Sequence, residues 1–312
     1  MKDLRVVFMG TPDFAVNVLE GLIDNCLVVG VVSQPDKLVG RHQELRMTAV
    51  KKCAVENGID VIQPVKIKES VTEVLAFNPD IIVTCAYGQI VPVEILNYPK
   101  YGCINVHASL LPKLRGGAPI HKAIIDGYKK TGITIMYMDK KMDSGDIISQ
   151  EEVIISDDDN LESLHDKLSI VGKNLLIKTL PSIINGTNER IKQKEEEVTY
   201  AWNIKREEEH INFNKTSREV FNQIRGLSPV PGANVIIDGV EMKVYASYIS
   251  DRKFSNKKVG EVSNLYKDGI GVATVDGEII LTDIKPFGKK RMSAESYING
   301  LKNKDMIGKV LE

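Results

Sequence analysis

Four cysteines in 312 residues are too few and too scattered to build a disulfide framework or a zinc site, because Cys26, Cys53, Cys85 and Cys103 form no C-x-x-C pair. They read instead as small apolar core groups in a reducing compartment. Long apolar runs are missing too. The longest aliphatic run in the first strand-like region, Leu27 to Val32, falls far short of the roughly 18 residues a membrane helix needs. Met1-Lys2-Asp3 passes straight into Leu4-Arg5-Val6-Val7-Phe8 with neither an apolar h-region nor an Arg/Ser-rich presequence. The expectation is a cytoplasmic protein with no membrane partner. G-x-G-x-x-G, G-K-[ST] and G-x-S-x-G are all absent, which removes the dinucleotide fingerprint, the P-loop and the serine nucleophile elbow. His42, His121, His165 and His210 have no neighbour at metal-ligand spacing, so no metal is expected. No excess of charge of one sign exists overall: the formal net charge is -1, with 43% hydrophobic and 27% charged residues, which rules out a disordered chain.

Charge is uneven along the chain. Residues 1–209 carry 25 lysines and arginines against 30 aspartates and glutamates, whereas residues 210–312 carry 16 against 12. The mildly basic tail is compatible with phosphate contact. Short aliphatic strands alternate with helical patterns through the first half (Leu4–Met9, Phe14–Ile23, Val28–Ser33, Thr48–Asn57, Asp80–Ala86, Gly102–Ala108, Pro119–Ile125, Ile133–Met138). That alternation predicts an α/β domain with a mostly parallel, Rossmann-like sheet. Ala15, Val18, Leu19 and Leu22 fall on one face of the first helix. Gln34 to Arg46 is a long polar stretch, longer than a βα connection needs. After about Ile183 the pattern decays into charged sequence. Beyond it come one helix (Ser217–Arg225), a Pro229-Val230-Pro231-Gly232 turn, and strands punctuated by Asp238-Gly239, Asp268-Gly269 and Asp276-Gly277, the strongest short hairpin signal. The expected organisation is a catalytic domain over 1–189, a linker over 190–207, and a smaller antiparallel β-barrel, OB-like, over 208–312.

A buried strand should be apolar throughout, yet Gly102-Cys103-Ile104-Asn105-Val106-His107 carries two polar side chains two residues apart. They share one face of the strand. Ligands of open α/β sheets bind beyond the carboxyl ends of the strands, which is where these two residues lie. The segment from Ser109 to Pro119, with two prolines and adjacent glycines, implies a specially shaped loop. Asp139, Asp143 and Asp146 gather in a second loop, which on a parallel sheet emerges at the same edge as His107. A carboxylate beside an imidazole favours its protonated form. An amide and an imidazole can both donate to an oxyanion, while the carboxylate manages protons, and together they suit acyl transfer without a covalent intermediate.

These stretches also carry a resemblance. Met9-Gly10-Thr11-Pro12-Asp13-Phe14-Ala15, Gln34-Pro35-Asp36, Ala86-Tyr87-Gly88-Gln89-Ile90-Val91-Pro92, Asn105-Val106-His107-Ala108-Ser109-Leu110-Leu111-Pro112-Lys113 and Met142-Asp143-Ser144-Gly145-Asp146 resemble the folate-dependent formyltransferase family. Thr199-Tyr200-Ala201, Ile224-Arg225-Gly226-Leu227 and Phe287-Gly288-Lys289-Lys290-Arg291-Met292 are similar to that family's C-terminal domain. The resemblance implies a 10-formyltetrahydrofolate co-substrate and, as acceptor, the α-amine of methionine on initiator tRNA, hence a part in translation initiation. It assigns catalysis to Asn105, His107 and Asp143. It also implies a folate pocket lined by Ser109, Leu110, Leu111, Pro112, Gln89, Ile90, Val91 and Asp139, and tRNA contacts from Arg41, Lys289, Lys290 and Arg291. A sugar-nucleotide acceptor, or water, is the alternative on the same scaffold. The loop departs from the family's pattern at Arg41-His42-Gln43-Glu44, where Lys and Gly are commoner after the arginine.

Overall fold

The computed structural model describes residues 1–39, 44–254, 256–301 and 305–312. Arg41 lies outside the described residues. The chain divides into two compact units. The first comprises Met1–Pro119, Lys130–Ile154 and His165–Trp202, and the second Ile120–Lys129, Ile155–Leu164 and Asn203–Glu312.

In chain order the first half forms β1 (Arg5–Gly10), α1 (Phe14–Asn25), β2 (Leu27–Val32), β3 (Lys37–Val39), β4 (Glu44–Arg46), α2 (Ala49–Glu56), β5 (Val61–Ile62), α3 (Val71–Ala76), β6 (Ile81–Cys85), α4 (Val93–Leu96), β7 (Cys103–His107), α5 (Pro119–Ile125), β8 (Lys130–Tyr137), β9 (Ile147–Ile154) and α6 (Leu161–Ile184). Seven strands make one sheet in the order β5-β2-β1-β6-β7-β8-β9. Its centre is buried on both faces, so β1 and β6 are almost uninterrupted apolar runs. On α1 the buried residues include Ala15, Val18, Leu19 and Leu22, the stripe its spacing predicts. All four cysteines are free and buried. Among the described residues no helix is long and apolar enough to cross a membrane.

One expectation fails. β1, β2, β5, β6 and β7 are parallel, but β8 runs antiparallel to β7, with Ile104 opposite Tyr137 and His107 opposite Thr134. The loop that follows β8 therefore leaves the sheet beside Ile104, at the end of β7 remote from His107. It reaches the histidine only by doubling back.

The second unit holds α7 (Ser217–Leu227), β10 (Ala233–Ile237), β11 (Val240–Ser250), β12 (Val262–Leu265), β13 (Ile270–Ala273), β14 (Glu278–Pro286), β15 (Met292–Ser293) and α8 (Ala294–Asn299). Its sheet is antiparallel, ordered β10-β11-β14-β13-β12 with β15 on β14. Asp238 and Gly239 form the two-residue β10–β11 turn with φ of 51° and 77°, the left-handed pair that a type I′ hairpin requires. The last residues join the two edges. Ile236 on β10 exchanges both backbone hydrogen bonds with Glu312, and the Val262 and Leu311 N–H groups donate to Lys309 and Gly260 carbonyls.

Candidate active site

On β7, Ile104 and Val106 face one side and are fully packed, while Asn105 and His107 face the other. Register places Thr84 of β6 opposite Asn105, and the Thr84 hydroxyl donates to Asn105 Oδ1 at 2.8 Å. The amide oxygen is thus occupied. Its NH₂ group has no acceptor among the described residues. His107, 6% exposed, has Nε2 at 3.0 Å from the Leu114 carbonyl oxygen. A carbonyl only accepts, so Nε2 carries the proton. Nδ1 then faces Asp143 Oδ2 at 3.7 Å, within ion-pair reach but too long for a hydrogen bond.

The loop after β7 is shaped by side chains from the antiparallel half of the sheet. Thr134 Oγ1 donates to the Ser109 carbonyl (2.6 Å) and accepts from Leu111 N–H (3.1 Å) and Gln150 Nε2 (2.8 Å). Ser109 Oγ donates to the Lys113 carbonyl at 2.6 Å, and Leu111-Pro112 is a cis peptide. This fold presents the Leu114 carbonyl to His107. Gly116 has φ of 121°, donates its N–H to Asp143 Oδ2 at 2.8 Å, and would place a Cβ 2.7 Å from the Ala201 carbonyl oxygen. Only glycine fits there.

Asp143 itself sits at φ of 48° in the returning loop. Gln193 Nε2 donates to the carbonyls of Asp143 (2.9 Å) and Gly145 (2.8 Å), and Gln193 Oε1 accepts from Arg115 Nε (3.0 Å). Arg115 is buried and also bonds Glu195 through Nη2 at 3.1 Å. A chain from Glu195 through Arg115 and Gln193 therefore pins the Asp143 turn. Thr84, Thr134, Arg115, Gln150 and Gln193 are the residues that sequence reasoning missed. Thr84 and Thr134 left a signal, each being a polar interruption of an apolar strand; Gln193, in charged aperiodic sequence, left none.

Of the other predicted residues, Gln89 braces a neighbouring loop. Its Oε1 accepts from Ile67 N–H at 2.8 Å and its Nε2 lies 3.3 Å from Gln34 Oε1 and the Pro64 and Val65 carbonyls. Val91 and Leu111 are both buried, whereas Ile90 is 84% exposed, free to cover a ligand. These loops follow the parallel strands β6 and β7, so they open at one edge. Asp139 is exposed, and its carboxylate accepts from the adjacent Lys140 N–H. In the second unit Arg291 is engaged by Asp283 through Nε and Nη2 (3.0 and 2.8 Å) and lies 4.3 Å over the Tyr245 ring. Asp283 holds that guanidinium above its ordinary range. Lys289 lies 5.7 Å over Tyr297, while Lys290 is exposed and has no partner among the described residues. No group of three metal-ligating side chains occurs among the described residues.

The sequence matches the formyl transferase family over residues 4–180 and the formyl transferase C-terminal domain over residues 203–302. It is 52% identical over 303 residues to methionyl-tRNA formyltransferase of Bacillus subtilis strain 168, covering 95% of this chain and 94% of that one. The corresponding enzyme of Staphylococcus aureus strain MW2 is 49% identical over 310 residues, covering 98% and 99%. In fold the chain is similar to an N-formyltransferase from Helicobacter canadensis solved with folinic acid and dTDP-3-aminofucose. The TM-score is 0.66 at 24% identity, over 92% of this chain and all of that one.

Proposed function

Because the chain belongs to the formyl transferase family, we propose that it transfers the formyl group of 10-formyltetrahydrofolate to the α-amine of methionine on initiator tRNA. The observation that carries this reading is identity near one half, spanning both domains, to enzymes named for that reaction. Asn105, His107 and Asp143 are the catalytic residues. The bound folate supplies the carbonyl carbon under attack. The Asn105 NH₂ group, oriented by Thr84, donates to the oxygen as negative charge develops there, an interaction worth roughly 10²–10³ in rate. His107 and Asp143 move the proton. As the amine nitrogen bonds to the formyl carbon and the carbon–N10 bond breaks, the proton lost by the amine passes to the open Nδ1–Oδ2 pair and on to the departing nitrogen.

Ser109 to Pro112, Ile90 and Val91 form the folate wall, with Gln89 holding its outer loop and Asp139 at its margin. The fit is supported by an exposed isoleucine beside buried apolar groups and by a rigidly bonded backbone. Lys289 and Lys290 meet tRNA phosphates, Arg291 braces the turn that presents them, and Arg41 contacts the acceptor end. Incubating the protein with 10-formyltetrahydrofolate and methionyl-tRNA should yield formylmethionyl-tRNA. Product on an amino-sugar nucleotide with none on methionyl-tRNA would replace this acceptor by the other.

A further inference from the structure

Tyr200 and Trp202 stack with ring centroids 5.1 Å apart and planes within 6° of parallel, yet they are 50% and 59% exposed. Two aromatic rings already ordered against each other and left open to water make a ready surface for a third flat ring. Their position ties them to the reaction. Leu114 N–H donates to Thr199 Oγ1 (2.9 Å), Arg115 N–H to the Thr199 carbonyl (2.9 Å), Ala201 N–H to the Arg115 carbonyl (2.7 Å) and Ala118 N–H to the Ala201 carbonyl (3.0 Å). The segment so paired, 114–118, is the one whose Leu114 carbonyl holds His107 and whose Gly116 N–H holds Asp143. Tyr200 is bridged directly to Arg115, between those two contacts.

We propose that the Tyr200–Trp202 stack is a platform for a base of the single-stranded 3′ end of the acceptor RNA, set beside the loop that holds the catalytic groups. This rests on the methionyl-tRNA reading above. The local charge favours a base over a phosphate track. Glu195, Glu196 and Glu197 precede the stack, and the cations Arg115 and Lys194 are engaged by Glu195 and Glu197. The π-face of a base carries no charge and stacks on an aromatic ring in a sequence-tolerant way.

Trp202 is the only tryptophan in the chain, so its fluorescence reports the platform alone. Titrating deacylated initiator tRNA into the full-length protein should quench that emission, and the same tRNA with its single-stranded 3′ end removed should not. Trp202→Ala should raise KM for methionyl-tRNA about tenfold, within the range of one lost base stack. KM for the formyl donor should be unchanged, and Trp202→Phe should keep most of the tRNA affinity. Emission indifferent to the 3′ end, or a Trp202→Ala enzyme with the parent KM, would overturn the platform while formylation by the parent protein still stood. Absence of formylmethionyl-tRNA from the parent would instead remove the acceptor reading, and the titration would read the platform independently.

Discussion

Asn105 can hold a developing oxygen only if its amide presents nitrogen, and that choice belongs to Thr84. Replacing the threonine by valine keeps its shape and removes the donor to Oδ1. Thr84→Val should lower kcat roughly tenfold, less than the 10²–10³ expected for deleting the amide itself, while Thr84→Ser restores it. Equal rates for parent and valine variants in steady-state formylation would remove Thr84 from the account. Gln193 acts at one remove in the same way, its amide bonding the Asp143 and Gly145 carbonyls. Gln193→Leu frees the turn and should also lower kcat about tenfold, since small misplacement of a catalytic group is costly. KM for the donor should be little changed. A fall in thermal stability with kcat intact would make Gln193 structural only.

At the scale of elements, strand and helix positions were largely legible, because α1's apolar stripe and the β1, β6 and β7 runs are what burial between helices demands. The direction of β8 was not. A strand buried on both faces reads as a continuous apolar run whichever way it points, and its partner β9 is an edge strand whose exposed Gln150, Glu151 and Glu152 disguised it. Asn105 and His107 were visible as polar residues in an apolar strand. Their supporting side chains were not, since register and loop closure place them. The Asp276-Gly277 turn shows the same limit: it was legible as a turn, but Asp276 Oδ1 also accepts Ser217 N–H (2.7 Å) at the start of α7. There Thr216 and Glu219 form a reciprocal cap. Thr216→Ala should cost about 1 kcal/mol in denaturant unfolding, and no change would discount the cap. Asp276 is held below the ordinary carboxylate range, chiefly by the Ser217 backbone N–H. A depressed carboxylate stabilises the fold above its unfolded-state range and ceases to as pH falls through its folded value. Asp276→Asn should therefore melt lower than the parent at neutral pH, with the gap closing on acidification.

For the whole molecule, the second unit's sheet edges are joined by the final residues, and Leu311 is 3% exposed within that unit's core. Ending the chain at Gly308 should lower the melting temperature by several degrees, given the roughly 2–5 kcal/mol attached to one buried leucine. Leu311→Ala should reproduce part of the loss; an unchanged melting curve would mean that the joint carries no stability. The first unit's central property is convergence: β7 delivers Asn105 and His107, while a loop starting at the strand's far end returns Asp143 to them. The most direct test is single-turnover formylation of methionyl-tRNA by His107→Ala and Asp143→Asn, with donor binding followed alongside. Both variants should lose roughly 10²–10⁴ in rate while still binding 10-formyltetrahydrofolate; turnover close to the parent's in either one would contradict the proposed proton path.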